Sequence, residues 1–573
     1  MICSFPITFR AYRHPATLSF MSAPDSELEL LSLPQEILND FFQLLDVKSL
    51  LTCRRVCRHF LDIVDQSPQC QYKFDLLSAG LEDGPTPIPS ISDRRAILKQ
   101  YADNWDNLKW TELSSVRMQR GGLWELFGGV LAQNTPSRAF TFTRLPGLTR
   151  GIQEKTWTAE KPSFRVRDFG MDPAQDLWVV IEKRRQAQNG MFQVTSLIHQ
   201  VHLLSLEKAP GNPHPSAKGG HILSMTQDFI DPELSFTIQV SGDFLGIQTN
   251  TVQAGQNELV VWNWKTGERK MYLIGDELRS FSFLSDRHIL LAVLNHNQNG
   301  DGQFPQDIAP ALSIVDYIQP FSDGPQHVLR TKAVTLWYPP LRDNVTMISF
   351  EVRSDPAPSW QPDQASLPPF HLASSNRLYV VSLWVAVEGE NIPQLLVLFL
   401  PSRTLTNVFR SYEDELRSSE GVYVAWANWG PEGSRMTVSQ VPHSAAWVCY
   451  VYGSRYVALE AHQKGMERVW CRVYDFNDLP IRRGRTEVDQ ENVITEEAEF
   501  SSQLCDTTVY QAGPMTVKGG RIFQNDVTTS LPFRWRSAEL DILASERNCA
   551  IMCSEDNIIV VDGHETKYRI LTF

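Results

Sequence analysis

The spacing of hydrophobic and polar positions changes character once along this chain. Between residues 33 and 64 apolar positions recur every three or four residues, the interval that lines one face of an α-helix. Ile37, Leu38, Phe41, Phe42 and Leu45 form the first such set. Ser32 is the expected N-cap, with Pro34 just inside the first turn, where its missing N–H does no harm. Asp46 is placed to cap a second helix running through Leu50, Leu51 and Val56. Phe60, Ile63 and Val64 belong to a third, which Pro68 ends. Three helices in roughly 40 residues cannot bury all the apolar surface they carry, so the surplus predicts a partner.

Pro85, Pro87 and Pro89 then mark an extended linker, after which Ser92-Asp93 is expected to cap a connecting helix through Ile97, Leu98 and Tyr101. From about residue 130 the helical interval gives way to short runs of strand length. They lie at 139–143, 176–182, 201–206, 243–247, 258–264, 289–293, 311–316, 456–459, 469–474 and 558–562. The stretch 378–400 is apolar at both ends and broken in the middle by Glu388, Gly389, Glu390, Asn391 and Pro393, which predicts a β-hairpin.

About 440 residues of strands exceed what one sandwich holds and suit radial repetition in six to eight four-stranded blades. Tandem β domains are the alternative. An internal repeat supports the radial arrangement. Aliphatic residues ending in Asp or Asn recur at Val260-Val261-Trp262-Asn263, Ser313-Ile314-Val315-Asp316, Arg472-Val473-Tyr474-Asp475 and Ile559-Val560-Val561-Asp562. Lys265-Thr266-Gly267 predicts a hairpin turn after the first of these, and 243–247 is expected as an inner blade strand before it. The stretch resembles a divergent WD-repeat-type β-propeller, though the repeat-initiating Gly-His pair is essentially absent and the spacing is irregular.

A second resemblance sits in the helical part. Leu33-Pro34-x-Glu36-Ile37-Leu38, Leu44-Leu45-Asp46, Leu50-Leu51, Cys53-Arg54-x-Val56-Cys57-Arg58 and Phe60 are similar to an F-box, with Phe60 where many members carry Trp. The resemblance implies docking on the Skp adaptor, and through it on a cullin scaffold, with the β region holding an unknown protein client. Leu33, Pro34, Ile37, Leu38, Leu44, Leu45, Leu50, Leu51, Val56 and Phe60 are the expected adaptor-binding residues, shared between the small core and the adaptor groove. The expected organisation is a disordered tail over 1–27, the F-box three-helix unit over 28–75, a linker and connecting helix over 76–130, and a β-propeller-like domain over 131–573. The function so implied is substrate recognition within a Skp–cullin–F-box ubiquitin ligase, without catalysis of its own. A scaffold without a degradation role, or an enzyme using a propeller channel, are the alternatives.

Composition changes this picture little. Lys plus Arg number 53 and Asp plus Glu 66, a formal charge of −13, which argues against general nucleic-acid or anionic-membrane binding. A local basic patch remains open. Nine scattered cysteines make no Cys-x-x-Cys pair, and reduced thiols in the cytoplasm or nucleus are expected. The first 24 residues hold Arg10, Arg13 and His14 and no acid, a pattern of transit segments, but a disordered tail or a start at Met21 is preferred.

Chemistry-bearing motifs give no cofactor or metal. The Gly121–Gly129 stretch lacks the Lys-Ser/Thr of a phosphate loop. His199 and His202 fall on opposite faces of a strand. Asn295, Asn297, Asn299 and Asp301 hint at a calcium loop but lack its closing Glu. Cys53 and Cys57 read as packing residues four apart on one helix, and Arg54, Arg55, Arg58 and His59 as a charge rim. The Pro/Gly-rich stretches 208–220, 295–307 and 354–370 are candidate recognition loops.

Overall fold

A computed structural model describes residues 33–88, 90–187, 194–227, 234–251, 256–296, 308–319, 321, 324–362, 367–439, 449–459, 468–484, 507–543, 549–562 and 566–573. The chain separates into two compact units, 1–71 and 72–573.

The first unit is helical: α1 (Gln35–Leu44), α2 (Val47–Cys53) and α3 (Arg58–Gln66). Pro34, not Ser32, occupies the N-cap position of α1, so the helix begins at Gln35, two residues later than expected. Val56 lies beyond the end of α2, in the turn before α3. α3 ends at Gln66, just before Pro68 as expected, but the helical region continues. Pro68 opens α4 (Pro68–Ala79), where the first position of a helix needs no N–H, and the Cys70 amide donates to the Ser67 hydroxyl at 3.4 Å. Apolar residues are spread around α4, so its sequence offers no one-sided pattern to read.

In the second unit α5 (Ile91–Asp106) is capped by Ser90, whose hydroxyl accepts from the Asp93 amide, two residues before the expected cap. Among the described residues seven sheets of four or five strands then follow, antiparallel except where Gln326–His327 and Val422–Val424 each add a parallel edge strand. The first blade is Trp124–Phe127, Val130–Asn134, Phe140–Arg144 and Lys155–Ala159. The second begins with Val166–Asp172 and includes Leu177–Ala187 and Val194–Ser205. In the seventh blade, Cys549–Cys553, Asn557–Asp562 and Lys567–Thr572 take their fourth strand from Glu112–Arg117, with Glu112 opposite Thr572 and Arg117 opposite Lys567. The β domain therefore starts near residue 112 rather than 131. Its first strand, Glu-Leu-Ser-Ser-Val-Arg, is mostly polar because it is an outer strand, and so escapes a hydrophobic search.

Hydrophobic clusters fill the gaps between neighbouring blades. Val130, Phe142, Trp178 and Leu204 join the first to the second, and Leu126, Leu131, Met552, Ile559 and Ile570 join the seventh back to the first. The β domain is thus a seven-bladed β-propeller, not tandem β domains.

The recurrent Asp or Asn has a local cause. In blades three, four and six it ends the third strand, and its side-chain Oδ1 accepts from the amide two residues on: Lys265 onto Asn263 at 3.1 Å, Ile318 onto Asp316 at 3.0 Å, Asn477 onto Asp475 at 3.0 Å. Each is a side-chain-capped turn. Gly267, at φ +76°, completes the first of these hairpins. Asp562 instead ends a second strand, so the fourth match is out of phase. The expected inner strand at 243–247 is likewise a second strand, and the inner one is Ser235–Ser241. The 378–400 hairpin forms as Leu378–Val387 and Gln394–Pro401. The longest helix within the β domain lies outside the sequence reading: α6 (Ser402–Ser418), inserted in the fifth blade, buries Leu405, Phe409 and Leu416. Such insertions make the repeat spacing irregular.

Candidate functional site

The helical unit is held by a small set of contacts. The Asp46 carboxylate accepts from the Ser49 amide at 2.7 Å and starts α2 as expected. Arg54, just past α2, forks onto Asp65 of α3 with bonds of 2.7 and 2.9 Å. That pairing holds the Asp65 carboxyl below its ordinary range. Phe42 and Phe60 meet edge to face at 5.1 Å, and Leu38, Leu50, Ile63 and Val64 complete the core.

The ten expected adaptor residues divide by exposure. Leu38, Leu50 and Phe60 are buried; Leu33 and Leu45 are half-buried; Pro34, Ile37, Leu44, Leu51 and Val56 are exposed. Ile37, Phe41 and Leu44 stand at i, i+4 and i+7, a row along α1 turned away from Leu38 and Phe42. Leu44 is 85% exposed and Val56 65%, values far from those of packed apolar side chains. Phe41 belongs to this row, although it is not among the ten. Its four-residue spacing from Ile37 is the signal that finds it.

Around that row lie other expected features. Cys53 ends α2 while Cys57 caps α3, so the two thiols are not on one helix. Of the basic cluster, Arg54 is committed to Asp65, and Arg55, Arg58 and His59 are exposed.

In the propeller the inner strands enclose an axial cavity of about 120 Å³, lined by Glu125, Asp168, Arg353, Asp355, Phe236 and Cys449 among others. Burial, reinforced by the charges of Asp355 and Asp168, pushes Glu125 up to about 8. Burial likewise raises Asp168 and Asp355 to about 6 each. Burial also raises the Cys449 thiol, which donates to the Leu126 carbonyl at 3.2 Å. Glu125 and Cys449 thus keep their protons at neutrality, which suits hydrogen-bond donation, while Asp168 and Asp355 are mostly ionised there.

Two of the three candidate recognition loops are held in place over their described residues; 363–366, within 354–370, lie outside these. In 208–220, His214 is buried, its Nε2 lies 2.9 Å from the Gln175 carbonyl and its ring meets Trp264 edge to face. From 354 to 362 the chain lies across one end of the axial cavity, with Trp360 buried and Ser359 bonded to Ser241. Most of 295–307, with the calcium-like pattern, lies outside the described residues. His199 and His202 do face opposite ways, His199 toward Phe236 and His202 stacked on Phe164 with Nε2 2.9 Å from Glu182.

Comparison with known proteins gives one family match, F-box-like, over residues 30–69. No curated protein matches the chain. Among solved structures, Drosophila Semaphorin 1a, extracellular domains 1-2, is 9% identical, with 81% of this chain and 86% of that one covered at a TM-score of 0.32. Drosophila Semaphorin 1b, extracellular domains 1-2, is 8% identical over 81% and 87%, at 0.33. An oligogalacturonate lyase in complex with manganese is 10% identical over 76% and 98%, at 0.27.

Proposed function

From an F-box-like helical unit followed by a seven-bladed propeller, we propose that this chain is a substrate-recognition subunit of a Skp–cullin–F-box ubiquitin ligase. The helices dock on the Skp adaptor, the propeller holds a client protein, and the transfer chemistry belongs to other subunits. The observation that carries the reading is the exposed apolar row Ile37, Phe41 and Leu44, together with the exposed Leu51 and Val56 of the same helical unit. Covering one such side chain contributes about 1.5–3 kcal/mol, so the row forms a strong anchor once a partner covers it. Leu33, Pro34 and Leu45 flank it, while Leu38, Leu50 and Phe60 shape it from inside. This role implies a cytoplasmic or nuclear location.

The test is co-purification of the full chain with the Skp adaptor. The parent chain is expected to form a stoichiometric complex. Ile37→Glu/Leu44→Glu is expected to lose it while keeping the parent's circular dichroism and melting temperature, because both side chains are already in water. Undiminished adaptor binding by a folded double variant refutes the reading. A client whose half-life depends on the adaptor-binding row separates a degradation receptor from a scaffold.

A further inference from the structure

Two neighbouring blades bring five cations to one cleft. Arg120 comes from the segment entering the first inner strand, Arg138 from the turn between second and third strands of the first blade, Arg165 and Arg167 from the start of the second blade's inner strand, and Lys183 from its next strand. They surround a space of about 950 Å³ whose described lining residues include no Asp or Glu. Elsewhere the balance runs the other way, for the whole chain carries −13. The cleft opens at the end of the inner strands opposite the 354–362 segment. Val166 begins the second inner strand at the cleft, and Pro173, beyond its other end, sits with Trp360.

One wall is preformed. The Asn134 Oδ1 accepts from the Leu123 amide at 2.8 Å, and the Gln133 side chain bonds both the Gln119 amide and the Arg117 carbonyl, so the segment bearing Arg120 is braced on the first blade. On the other wall Arg167 donates to the Leu234 carbonyl at 2.6 Å. Arg120, Arg138 and Arg165 are exposed and make no ion pair with any described residue. Keeping like charges this close opposes folding through mutual repulsion. Guanidinium forks match carboxylate and phosphate geometry, and a bound anion removes that repulsion.

We propose that this cleft binds an anionic segment of a polypeptide, through its carboxylate or phosphate groups. The proposal deepens the client-receptor reading and rests on it for the identity of the partner as a client. A polypeptide fits better than a nucleic acid. Among the described lining residues the one aromatic, Phe140, is buried and offers no platform for stacking bases, and the net acidic chain repels a long polyanion.

The experiment is fluorescence anisotropy of the full chain with four labelled probes: a Glu/Ser peptide, its phosphoserine form, its Gln/Ser counterpart and a single-stranded RNA. One or both anionic peptides are expected to bind, more weakly as salt rises, and the ratio between them tells carboxylate from phosphate. Arg138→Glu/Arg165→Glu is expected to weaken that binding by about tenfold or more. The same charge change at Arg330→Glu/Arg403→Glu, remote from the cleft, is expected to leave it unchanged. Binding of neither anionic peptide, RNA preferred to both, or equal losses in the two double variants each overturns the proposal. Circular dichroism and adaptor co-purification of Arg138→Glu/Arg165→Glu separate its failure from misfolding and from failure of the ligase reading: the cleft variant is expected to keep both.

Discussion

Arg150 illustrates how much single side chains contribute inside the propeller. It is buried, and its guanidinium bonds Asp556 through Nε and Nη2 at 2.7 and 2.5 Å, Glu555 at 2.9 Å and the Phe370 carbonyl at 2.7 Å. Arg150→Met leaves two buried carboxylates without their cation and is expected to cost about 3–5 kcal/mol, read as a lower urea midpoint. Glu125 makes the opposite case. Its carboxyl releases its proton near pH 8 when folded and near 4.5 when free. Between those values the folded state holds more proton than the unfolded state, so stability falls as pH rises through that window. Glu125→Gln is expected to melt above the parent at pH 8 and to converge with it below pH 4.5. At this scale the sequence separates apolar from polar well but does not say which apolar side chain faces water. Ile37 and Leu38 are adjacent and equally greasy; one is exposed and the other buried, because the helix turns 100° per residue and the core lies on one side. The five cleft cations were also invisible, since they come from separate segments that only the blade geometry brings together.

At the scale of elements, what was legible had a local cause. Asp46 marks the start of α2 because a carboxylate at that position satisfies an otherwise unpaired amide. Asp46→Ala is expected to cost about 1 kcal/mol and to speed amide exchange at Ser49. The repeated Asp or Asn was legible for the same reason: a capped turn needs that side chain wherever the turn occurs. It could not give the phase of the blades, because the same capping chemistry serves turns in any part of a blade. α6 was missed although Leu405, Phe409 and Leu416 follow a helical interval, since the strands on either side dominate the pattern. Leu405→Ala, at a fully buried position of α6, is expected to cost about 2–5 kcal/mol in urea unfolding.

At the scale of the whole β domain, radial repetition was legible from the number of short strands, while the blade count and the ring closure were not. Closure depends on pairing Glu112–Arg117 with Lys567–Thr572, a contact without local signature. Removing residues 1–118 is expected to leave Lys567–Thr572 as an open edge, measured as faster amide exchange there and as concentration-dependent aggregation. The same pairing sets a clock for the ribosome. A strand made early must wait for its partner while the intervening chain is translated, about 20–90 s at ordinary elongation rates. Throughout that interval the F-box-like helices have left the exit tunnel, while the propeller is still an unclosed arc. A message cut short therefore yields a chain that carries the F-box-like helices without a closed ring; under the function proposed above, it competes with the full-length product for the adaptor.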